Sequence, residues 1–185
     1  FKKMGVRFII EDGYVIGHIE GALKGTEVNL PIRSVGATEN IMMAATLALG
    51  RTTISNAAKE PEVIDLGNFL QSMGAKISGL GTDQISIIGV SKLCGSEYSV
   101  MSDRIEAGTF ILLVLGCSGS LKLTNLDERV IDNYIKIFKL FKELSFKKIS
   151  KNKLLITCNT KNYKGFDVKT KPYTDFPTDL QAQLS

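Results

Sequence analysis

Met73-Gly74-Ala75-Lys76-Ile77 repeats the pattern of Met4-Gly5-Val6-Arg7-Phe8 further along the chain. A weaker third copy, Leu144-Ser145-Phe146-Lys147, follows Met73 at nearly the same interval that separates Met73 from Met4. Repetition at a fixed period is typical of a protein built from several copies of one structural unit. We therefore expect each copy to mark the same point, where a helix ends and a strand begins, with glycine in the first two copies and Ser145 in its place in the third,.

Three threonines follow the same period. The interval from Thr38 to Thr109 nearly equals the interval from Thr109 to Thr178, and both match the spacing of the methionine motif. Each threonine comes after a short stretch of small residues or proline: Gly36-Ala37, Ala107-Gly108 and Phe176-Pro177. Because two independent landmarks share one period, the repetition belongs to the fold and not to one short motif.

The best-preserved copy is predicted to have the order βαβαββ. β-branched residues favour strands, proline suits the first turn of a helix, and glycine suits the residue that follows one. The predicted elements are a strand at Thr26–Leu30, a helix from the 34–36 loop through Ala48 that Gly50 ends, a strand at Thr52–Ser55, a helix that starts at Glu60-Pro61, and a hairpin of Lys76–Ser78 with Gln84–Ile88.

A second copy and the opening of a third at Val168 follow along the chain. Each unit has one apolar helix face and one apolar sheet face and cannot bury both alone, so several units must pack together. The break at 99–102 follows a completed unit, and we expect a domain boundary there. The second copy is predicted as Arg104–Cys117, Lys122–Thr124, Val130–Leu144, a strand near Lys148 and a strand at Leu154–Thr157.

The composition is that of a globular chain, with 44% hydrophobic and 23% charged residues among 185,. No apolar run reaches the roughly 18 residues of a membrane span. The net charge of +4 arises mainly at 136–171, where a solvated lysine face is a commoner explanation than a nucleic-acid surface,. The spacing of Cys94, Cys117 and Cys158 is not that of metal ligands, and His18 is the sole histidine,. We therefore predict no metal and no cofactor. The cysteines are expected to be reduced thiols in the cytoplasm.

Both ends of the sequence fall inside apparent structure. The chain starts at Phe1-Lys2-Lys3-Met4 and stops at Gln183-Leu184-Ser185 within a predicted helix. We therefore expect a fragment of a longer protein, inactive by itself.

The stretch from Ser34 to Thr38 lies where a predicted strand passes into a predicted helix. Free amides at a helix N-terminus attract anions by about 0.3–1 kcal/mol, so one interpretation is a phosphate cradle with Ser34 as an extra donor. The other is a capped helix with a packing glycine, which is commoner in general. The pattern is neither a Walker loop nor a dinucleotide fingerprint.

Thr178-Asp179-Leu180-Gln181 fits a capping box, in which Thr178 bonds the third amide and Gln181 reaches back,. This explains Thr178 but not Asp179. Beside a phosphate-binding helix end, an aspartate can instead take a proton from a sugar hydroxyl, which is worth typically 10² to 10⁴ in rate. From the residues alone the two interpretations rank equally. Glu60 and Asp103 lie at unit edges, where they suit either ion pairs between elements or a substrate cleft.

Four longer motifs occur in the order found in the UDP-N-acetylglucosamine enolpyruvyl transferases, and the chain resembles that family from end to end. The related 3-phosphoshikimate carboxyvinyltransferases share the fold but not these motifs as written. The motifs are Ser34-Val35-Gly36-Ala37-Thr38-Glu39-Asn40-Ile41, Asn56-Ala57-Ala58-Lys59-Glu60-Pro61-Glu62, Asp103-Arg104-Ile105-Glu106-Ala107-Gly108-Thr109 and Phe176-Pro177-Thr178-Asp179-Leu180-Gln181-Ala182-Gln183.

The resemblance implies an α/β fold: an inside-out α/β barrel with two domains, each of three βαβαββ units around buried helices, and a substrate cleft between the domains. Residues 1–101 would belong to the first domain and residues 102–185 to the second. The implied reaction moves enolpyruvate from phosphoenolpyruvate to the 3-hydroxyl of UDP-N-acetylglucosamine by addition and elimination, in peptidoglycan precursor synthesis in the bacterial cytoplasm.

The resemblance also implies roles for individual residues. Asp179 matches the aspartate proposed to deprotonate the 3-hydroxyl, and Thr178 matches a neighbouring sugar contact. Some members carry lysine at Ile32, so Arg33 is expected to supply a substitute charge. Glu60 and Asp103 match cleft carboxylates. The segment that holds the uridine and diphosphate matches Ile32, Arg33, Ser34, Val35 and Gly36.

Two other functions remain open at this point. One is the 3-phosphoshikimate transferase, with shikimate 3-phosphate in place of the nucleotide sugar. The other is a non-catalytic βαβαββ module that binds RNA through its basic second half. The leading interpretation predicts the nucleotide sugar and phosphoenolpyruvate as partners, with no nucleic acid and no membrane.

Overall fold

A computed structural model of the chain describes residues 1–159, 165 and 167–185. The chain forms two compact units, Phe1–Ser99 and Val100–Ser185, each with its own hydrophobic core. No helix in these described ranges has the length and apolar character needed to cross a membrane. The assignment of the units to domains of a larger enzyme stays a prediction.

The first unit contains two sheets. Strands β1 and β2 form an antiparallel hairpin, and the other four strands form a sheet in the order β3-β4-β6-β5, in which only β3 and β4 are parallel. From β3 onward the order of elements is the predicted βαβαββ. The elements are a 3₁₀ turn at Lys2–Met4, β1 (Arg7–Glu11), β2 (Tyr14–His18), β3 (Glu27–Asn29), α1 (Val35–Ala45), β4 (Arg51–Ser55), α2 (Pro61–Ser72), β5 (Lys76–Ser78) and β6 (Gln84–Ile88).

The core of the first unit lies between the four-stranded sheet and its two helices. Alternate residues of the central strands are buried, as expected where one face of a sheet is covered. Ile54 on β4 and Ile85 on β6 are fully buried, and Met42 on α1 and Val63 on α2 meet the same core.

Gly5 and Gly74 occupy equivalent places in the repeat. Their φ angles are 100° and 101°, in the left-handed region that glycine tolerates best, and each residue leads into an antiparallel hairpin,. The third predicted copy behaves differently, because Leu144 and Ser145 already lie in a strand. The helix before them has ended earlier in the chain.

The second unit contains one antiparallel sheet in the order β7-β9-β8. Its helix α3 has the predicted bounds, and it is followed by the strand, helix and two strands that the repeat predicts. The elements are α3 (Arg104–Cys117), β7 (Gly119–Thr124), α4 (Glu128–Ile137), a 3₁₀ turn at Phe138–Leu140, β8 (Leu144–Ser150), β9 (Lys153–Cys158), a 3₁₀ turn at Thr178–Leu180 and α5 (Gln181–Leu184).

Two helices end earlier than predicted. Helix α1 ends at Ala45 and not at Ala48, because Thr46 donates its hydroxyl to the Met43 carbonyl at 2.7 Å and the Leu49 amide is already bonded to the Leu23 carbonyl at 2.7 Å. The α-helical part of α4 ends at Ile137 and does not reach Leu144.

Aromatic packing accounts for the early end of α4. Phe138 and Phe141 are buried, and their ring centroids are 5.7 Å apart in a stacked arrangement. In the 3₁₀ turn, side chains three residues apart point in the same direction, and both rings enter the core there,.

The predicted third unit does not open with a strand at Val168 in the described part of the chain. Residues 167–171 form no regular element there, and the Lys171 amide instead donates to the Phe176 carbonyl at 3.0 Å. Residues 160–164 and 166, which belong to the lysine-rich stretch, lie outside the described residues.

Candidate functional site

The N-terminus of α1 is capped by Ser34, whose hydroxyl accepts a hydrogen bond from the Ala37 amide at 3.2 Å. The amides of Val35 and Gly36 lie in the first turn, where the helix itself offers no acceptor. A Cβ atom on Gly36 would meet nothing within 4 Å, so this glycine is not a packing glycine. The helix is therefore capped, as the structural interpretation predicts. It also has open space beside Gly36, as a phosphate cradle requires.

Thr38 fixes this helix end to the segment before α2. Its side chain is fully buried, and its hydroxyl donates to the Ser34 carbonyl at 2.7 Å while accepting from the Ala58 amide at 3.0 Å. A second link joins the same two segments, because the Asn56 side-chain amide donates to the Leu30 carbonyl at 2.9 Å. The loop, the first turn of α1 and the 56–60 segment therefore form one connected piece.

Two cations lie next to this piece and share one carboxylate. Arg33 donates from Nη2 to Oδ1 of Asp83, and the Lys59 ammonium lies 2.8 Å from the same oxygen. The hydrogen bond from Lys59 lowers the pKa of Asp83 below its ordinary value, and the charges of Lys59 and Arg33 add to the effect, against a smaller opposing effect of burial. Ile32 is 73% exposed and carries no charge, so Arg33 is the cation of its segment.

Lys59 and Asp83 were not predicted from the sequence to belong to this group. Their meeting depends on the pairing of β4 with β6, in which Ser55 lies opposite Gln84. This register places the residues after β4 beside the residues before β6, and the Ala57 amide donates to the Asp83 carbonyl at 3.0 Å. The Lys59–Asp83 contact could have been predicted only by combining the predicted hairpin with the order of the strands in the sheet.

Three glutamates lie near the N-terminal ends of α1 and α2. Glu60 directly precedes α2 and is 6% exposed, while Glu62 lies in the first turn of that helix. Burial raises the pKa of Glu39 on α1 above its ordinary value, and the charges of Glu62 and Glu60 raise it further. The structure thus places Glu60 within an acidic group, and its role toward a substrate stays a prediction.

Asp103 caps α3. Its Oδ1 atom accepts from the amides of Ile105 at 2.7 Å and Glu106 at 3.1 Å, which satisfies two of the free donors at this helix end,. The cap accounts for an aspartate at this position in structural terms. The further role of Asp103 as a cleft carboxylate stays a prediction.

The capping box predicted at Thr178–Gln181 is wrong. Residues 178–180 form a 3₁₀ turn that begins after Pro177, with no hydrogen bond from a capping side chain, and α5 starts only at Gln181. The Leu180 amide is instead bonded to the Pro177 carbonyl at 3.3 Å. A tight turn of this type uses the backbone carbonyl three residues back, so it does not need the Thr178 hydroxyl.

Asp179 is an exposed carboxylate on a segment that is held from both sides. Leu180 is fully buried, and the Phe176 ring packs on Phe138 with centroids 5.7 Å apart. On the far side, the Gln183 side chain donates to the Thr109 hydroxyl of α3 at 3.1 Å. The turn therefore presents Asp179 to solvent from a fixed backbone.

Within the described ranges, no group of three or more histidine, cysteine, aspartate or glutamate side chains has the arrangement of a metal site. The two places described above offer amides, hydroxyls, cations and carboxylates. The first place suits an anionic group, and the second offers a carboxylate that can accept a proton.

Comparison with known proteins gives three findings. Residues 1–185 match the family described as EPSP synthase (3-phosphoshikimate 1-carboxyvinyltransferase). The chain is 43% identical over 182 residues to the UDP-N-acetylglucosamine 1-carboxyvinyltransferase of Aeromonas hydrophila and 46% identical over 184 residues to that of Idiomarina loihiensis. These matches cover 98% and 99% of this chain, which spans 43% of the length of either relative.

Solved structures show the same fold. The enolpyruvyl transferase NikO from Streptomyces tendae matches with a TM-score of 0.80 at 20% identity, over 99% of this chain and 46% of that chain. EPSP synthase from Acinetobacter baumannii matches with a TM-score of 0.60 at 20% identity, over 99% and 41%. The prediction of an enolpyruvyl transferase-like α/β fold is confirmed, and the sheets formed by the described residues are open ones.

Proposed function

Because the chain belongs to the EPSP synthase family of carboxyvinyl transferases, we propose that the intact protein transfers the enolpyruvyl group of phosphoenolpyruvate to the 3-hydroxyl of UDP-N-acetylglucosamine. The observation that carries the proposal is the identity of 42% to 46% to six relatives that all bear the name UDP-N-acetylglucosamine 1-carboxyvinyltransferase. The reaction would serve peptidoglycan precursor synthesis.

The first unit supports a nucleotide diphosphate as the anionic part of the substrate. The α1 N-terminus offers free amides at Val35 and Gly36, with open space beside Gly36,. Arg33 and Lys59 add two positive charges against the single negative charge of Asp83. We assign the Ile32–Gly36 segment to the uridine and diphosphate, with Arg33 in place of the lysine that some members carry at Ile32.

The second unit supports a general base. Asp179 would accept the proton of the 3-hydroxyl while that oxygen bonds to C2 of phosphoenolpyruvate, and a general acid elsewhere in the intact protein would give a proton to C3. The intermediate then loses a proton from C3 and its bond from C2 to the phosphate oxygen, which restores the double bond and releases phosphate. Thr178, next to Asp179 in the same turn, would contact the sugar.

A fixed base is more effective than a mobile one, because the orientation of the reacting groups is already set before the reaction. The buried neighbours of Asp179, Phe176 and Leu180, supply this rigidity. Glu60 and Asp103 complete the proposed substrate-facing carboxylates, without a defined chemical step.

The decisive experiment measures phosphate release by the intact protein with phosphoenolpyruvate and one of two acceptors. We expect turnover with UDP-N-acetylglucosamine and none with shikimate 3-phosphate. Turnover with shikimate 3-phosphate alone would assign the protein to the other branch of its family. A folded protein that turns over neither acceptor would refute enolpyruvyl transfer altogether.

A further inference from the structure

Asp83 connects three segments at the first turn of α1. It lies at the end of the turn between β5 and β6, and its carbonyl accepts the Ala57 amide at 3.0 Å. Its carboxylate binds Arg33, which directly precedes the Ser34 cap, and also Lys59, which lies 2.8 Å away. One hairpin residue thus joins the loop before α1 to the segment before α2.

Within the Arg33–Asp83–Lys59 group the charges favour an anion, whereas Glu39, Glu60 and Glu62 near the same helix ends carry the opposite charge. Two cations share one oxygen of one carboxylate, so the three side chains together carry a net positive charge. Without Asp83, Arg33 and Lys59 would repel each other, and both long side chains would regain rotamer freedom that a bound anion would then have to remove.

Arg33 retains donor capacity after it has bonded Asp83. Its Nη2 atom is used by the carboxylate and its Nε atom is buried, so the donors that remain for a ligand are N–H groups of the terminal nitrogens,. A guanidinium presents five N–H donors in a fixed plane, so a contact at one nitrogen sets the direction of all the others. The Asp83 contact therefore orients the donors that remain.

We infer that Asp83 is a positioning residue for the nucleotide diphosphate: it holds Arg33 and Lys59 beside the Ser34 end of α1 and does not touch the substrate itself. This inference rests on the proposed function and deepens it. It assigns to the hairpin turn a part in nucleotide affinity, separate from the proton transfer assigned to Asp179.

An alternative is that Asp83 forms an ordinary surface ion pair without functional effect, since exposed pairs contribute little to stability. The second unit offers a matched control for this alternative. Asp132 is 61% exposed and lies 2.8 Å from Lys148, while Asp83 is 65% exposed and lies 2.8 Å from Lys59. The two aspartates differ in their lysines: Lys148 is far along the chain from the Ser34 segment, whereas Lys59 follows Ala58, whose amide is bonded to Thr38.

The test compares Asp83→Asn, Asp83→Glu and Asp132→Asn in the intact protein by steady-state kinetics and thermal unfolding. For Asp83→Asn we expect the KM for UDP-N-acetylglucosamine to rise about tenfold, with kcat within about twofold of the wild type, as loss of ground-state binding requires. Asp83→Glu should recover most of the affinity, and Asp132→Asn should change neither constant. Competition by UDP should weaken in Asp83→Asn much more than competition by uridine.

Two results would overturn the inference alone: an unchanged KM in Asp83→Asn, or equal weakening of UDP and uridine, which would indicate a general loss of structure. A wild-type protein that does not use UDP-N-acetylglucosamine would overturn the proposed function and this inference together. The wild-type assay therefore separates the two failures.

Discussion

Leu180 packs directly against Gly108: a Cβ atom on Gly108 would lie 2.5 Å from Cδ1 of Leu180 and 2.9 Å from the hydroxyl oxygen of Tyr134. Leu180 is fully buried, and Tyr134 is 1% exposed. Because glycine has no side chain, Gly108 allows the turn that carries Asp179 to approach α3 closely.

Gly108→Ala is expected to lower stability and activity together. Overpacking a tight contact costs about 1–3 kcal/mol, partly offset by the roughly 1 kcal/mol by which alanine favours a helix over glycine. The buried Leu180 and Tyr134 side chains must shift to make room, and because Leu180 follows Asp179 directly we expect the turn to move and kcat to fall. Denaturant unfolding and steady-state kinetics measure the two effects.

Gly116→Ala in the same helix is the matched control, because a Cβ atom there would meet nothing within 4 Å. This variant should gain up to about 1 kcal/mol with an unchanged kcat. Equal effects of the two substitutions would contradict the role of the Gly108 contact.

Thr38→Val should destabilise the first unit by about 1–3 kcal/mol, because the change leaves the buried Ala58 amide and the Ser34 carbonyl without the hydroxyl that serves both,. Thr38→Ser keeps the hydroxyl and should recover most of the stability. Urea unfolding of the two variants gives the comparison. A Thr38→Val protein as stable as the wild type would show that the two segments are held together in another way.

The elements that the sequence predicted well have local signals where they begin. The β5–β6 hairpin follows Gly74, and α3 starts after a side-chain cap at Asp103, so neighbouring residues determine these bounds. The ends of α1 and α4 depend on distant contacts instead. Leu49 bonds Leu23, and Phe138 turns into a core that other elements complete.

In the candidate site, too, local features were predictable from the sequence and contacts between distant residues were not. Ser34 was predictable because a serine before a helix is a local cap, whereas Asp179 was chosen from its motif and its role stays a prediction. The Arg33–Asp83 contact joins residues 50 positions apart, and the Lys59 contact needs the same strand pairing. The capping box failed at Thr178 because the burial of Phe176 and Leu180 is accommodated by a 3₁₀ turn.

Glu39→Gln should stabilise the protein at neutral pH and have little effect in acid. The pKa of Glu39 is raised above its ordinary value of 4.5, chiefly by burial and then by Glu62 and Glu60, so the folded state binds the proton more tightly than the unfolded state. Stability is therefore retained below pH 4.5 and is lost as the pH rises from 4.5 through the raised pKa,.

Thermal unfolding of wild type and Glu39→Gln between pH 4 and pH 7 measures this effect, and the difference between the two curves should grow with pH. Glu11→Gln on the exposed β1–β2 hairpin serves as the control. A difference that is constant across this range would exclude the titration of Glu39 as its cause.

Gly36→Ala should leave the fold intact and weaken nucleotide binding. A Cβ atom at this position meets no protein atom within 4 Å, and alanine is accepted in the first turn of a helix, so the melting temperature should be retained,. If the diphosphate approaches the amides of α1, the added methyl group occupies that space and the Kd for UDP-N-acetylglucosamine should rise about tenfold or more. Calorimetric titration provides the Kd, and an unchanged value would place the diphosphate elsewhere.

Asp179→Asn should lower kcat by about 10² to 10⁴ while the KM for UDP-N-acetylglucosamine and the stability stay close to those of the wild type, because an amide retains the shape of the side chain but cannot take the proton. The exposed position of Asp179 means that no core contact is lost. Asp175→Asn is the matched control, since Asp175 is an exposed aspartate slightly earlier in the same segment. Steady-state phosphate release measures both variants. If Asp179→Asn keeps its kcat, or if Asp175→Asn loses as much, then proton removal from the 3-hydroxyl does not depend on this carboxylate.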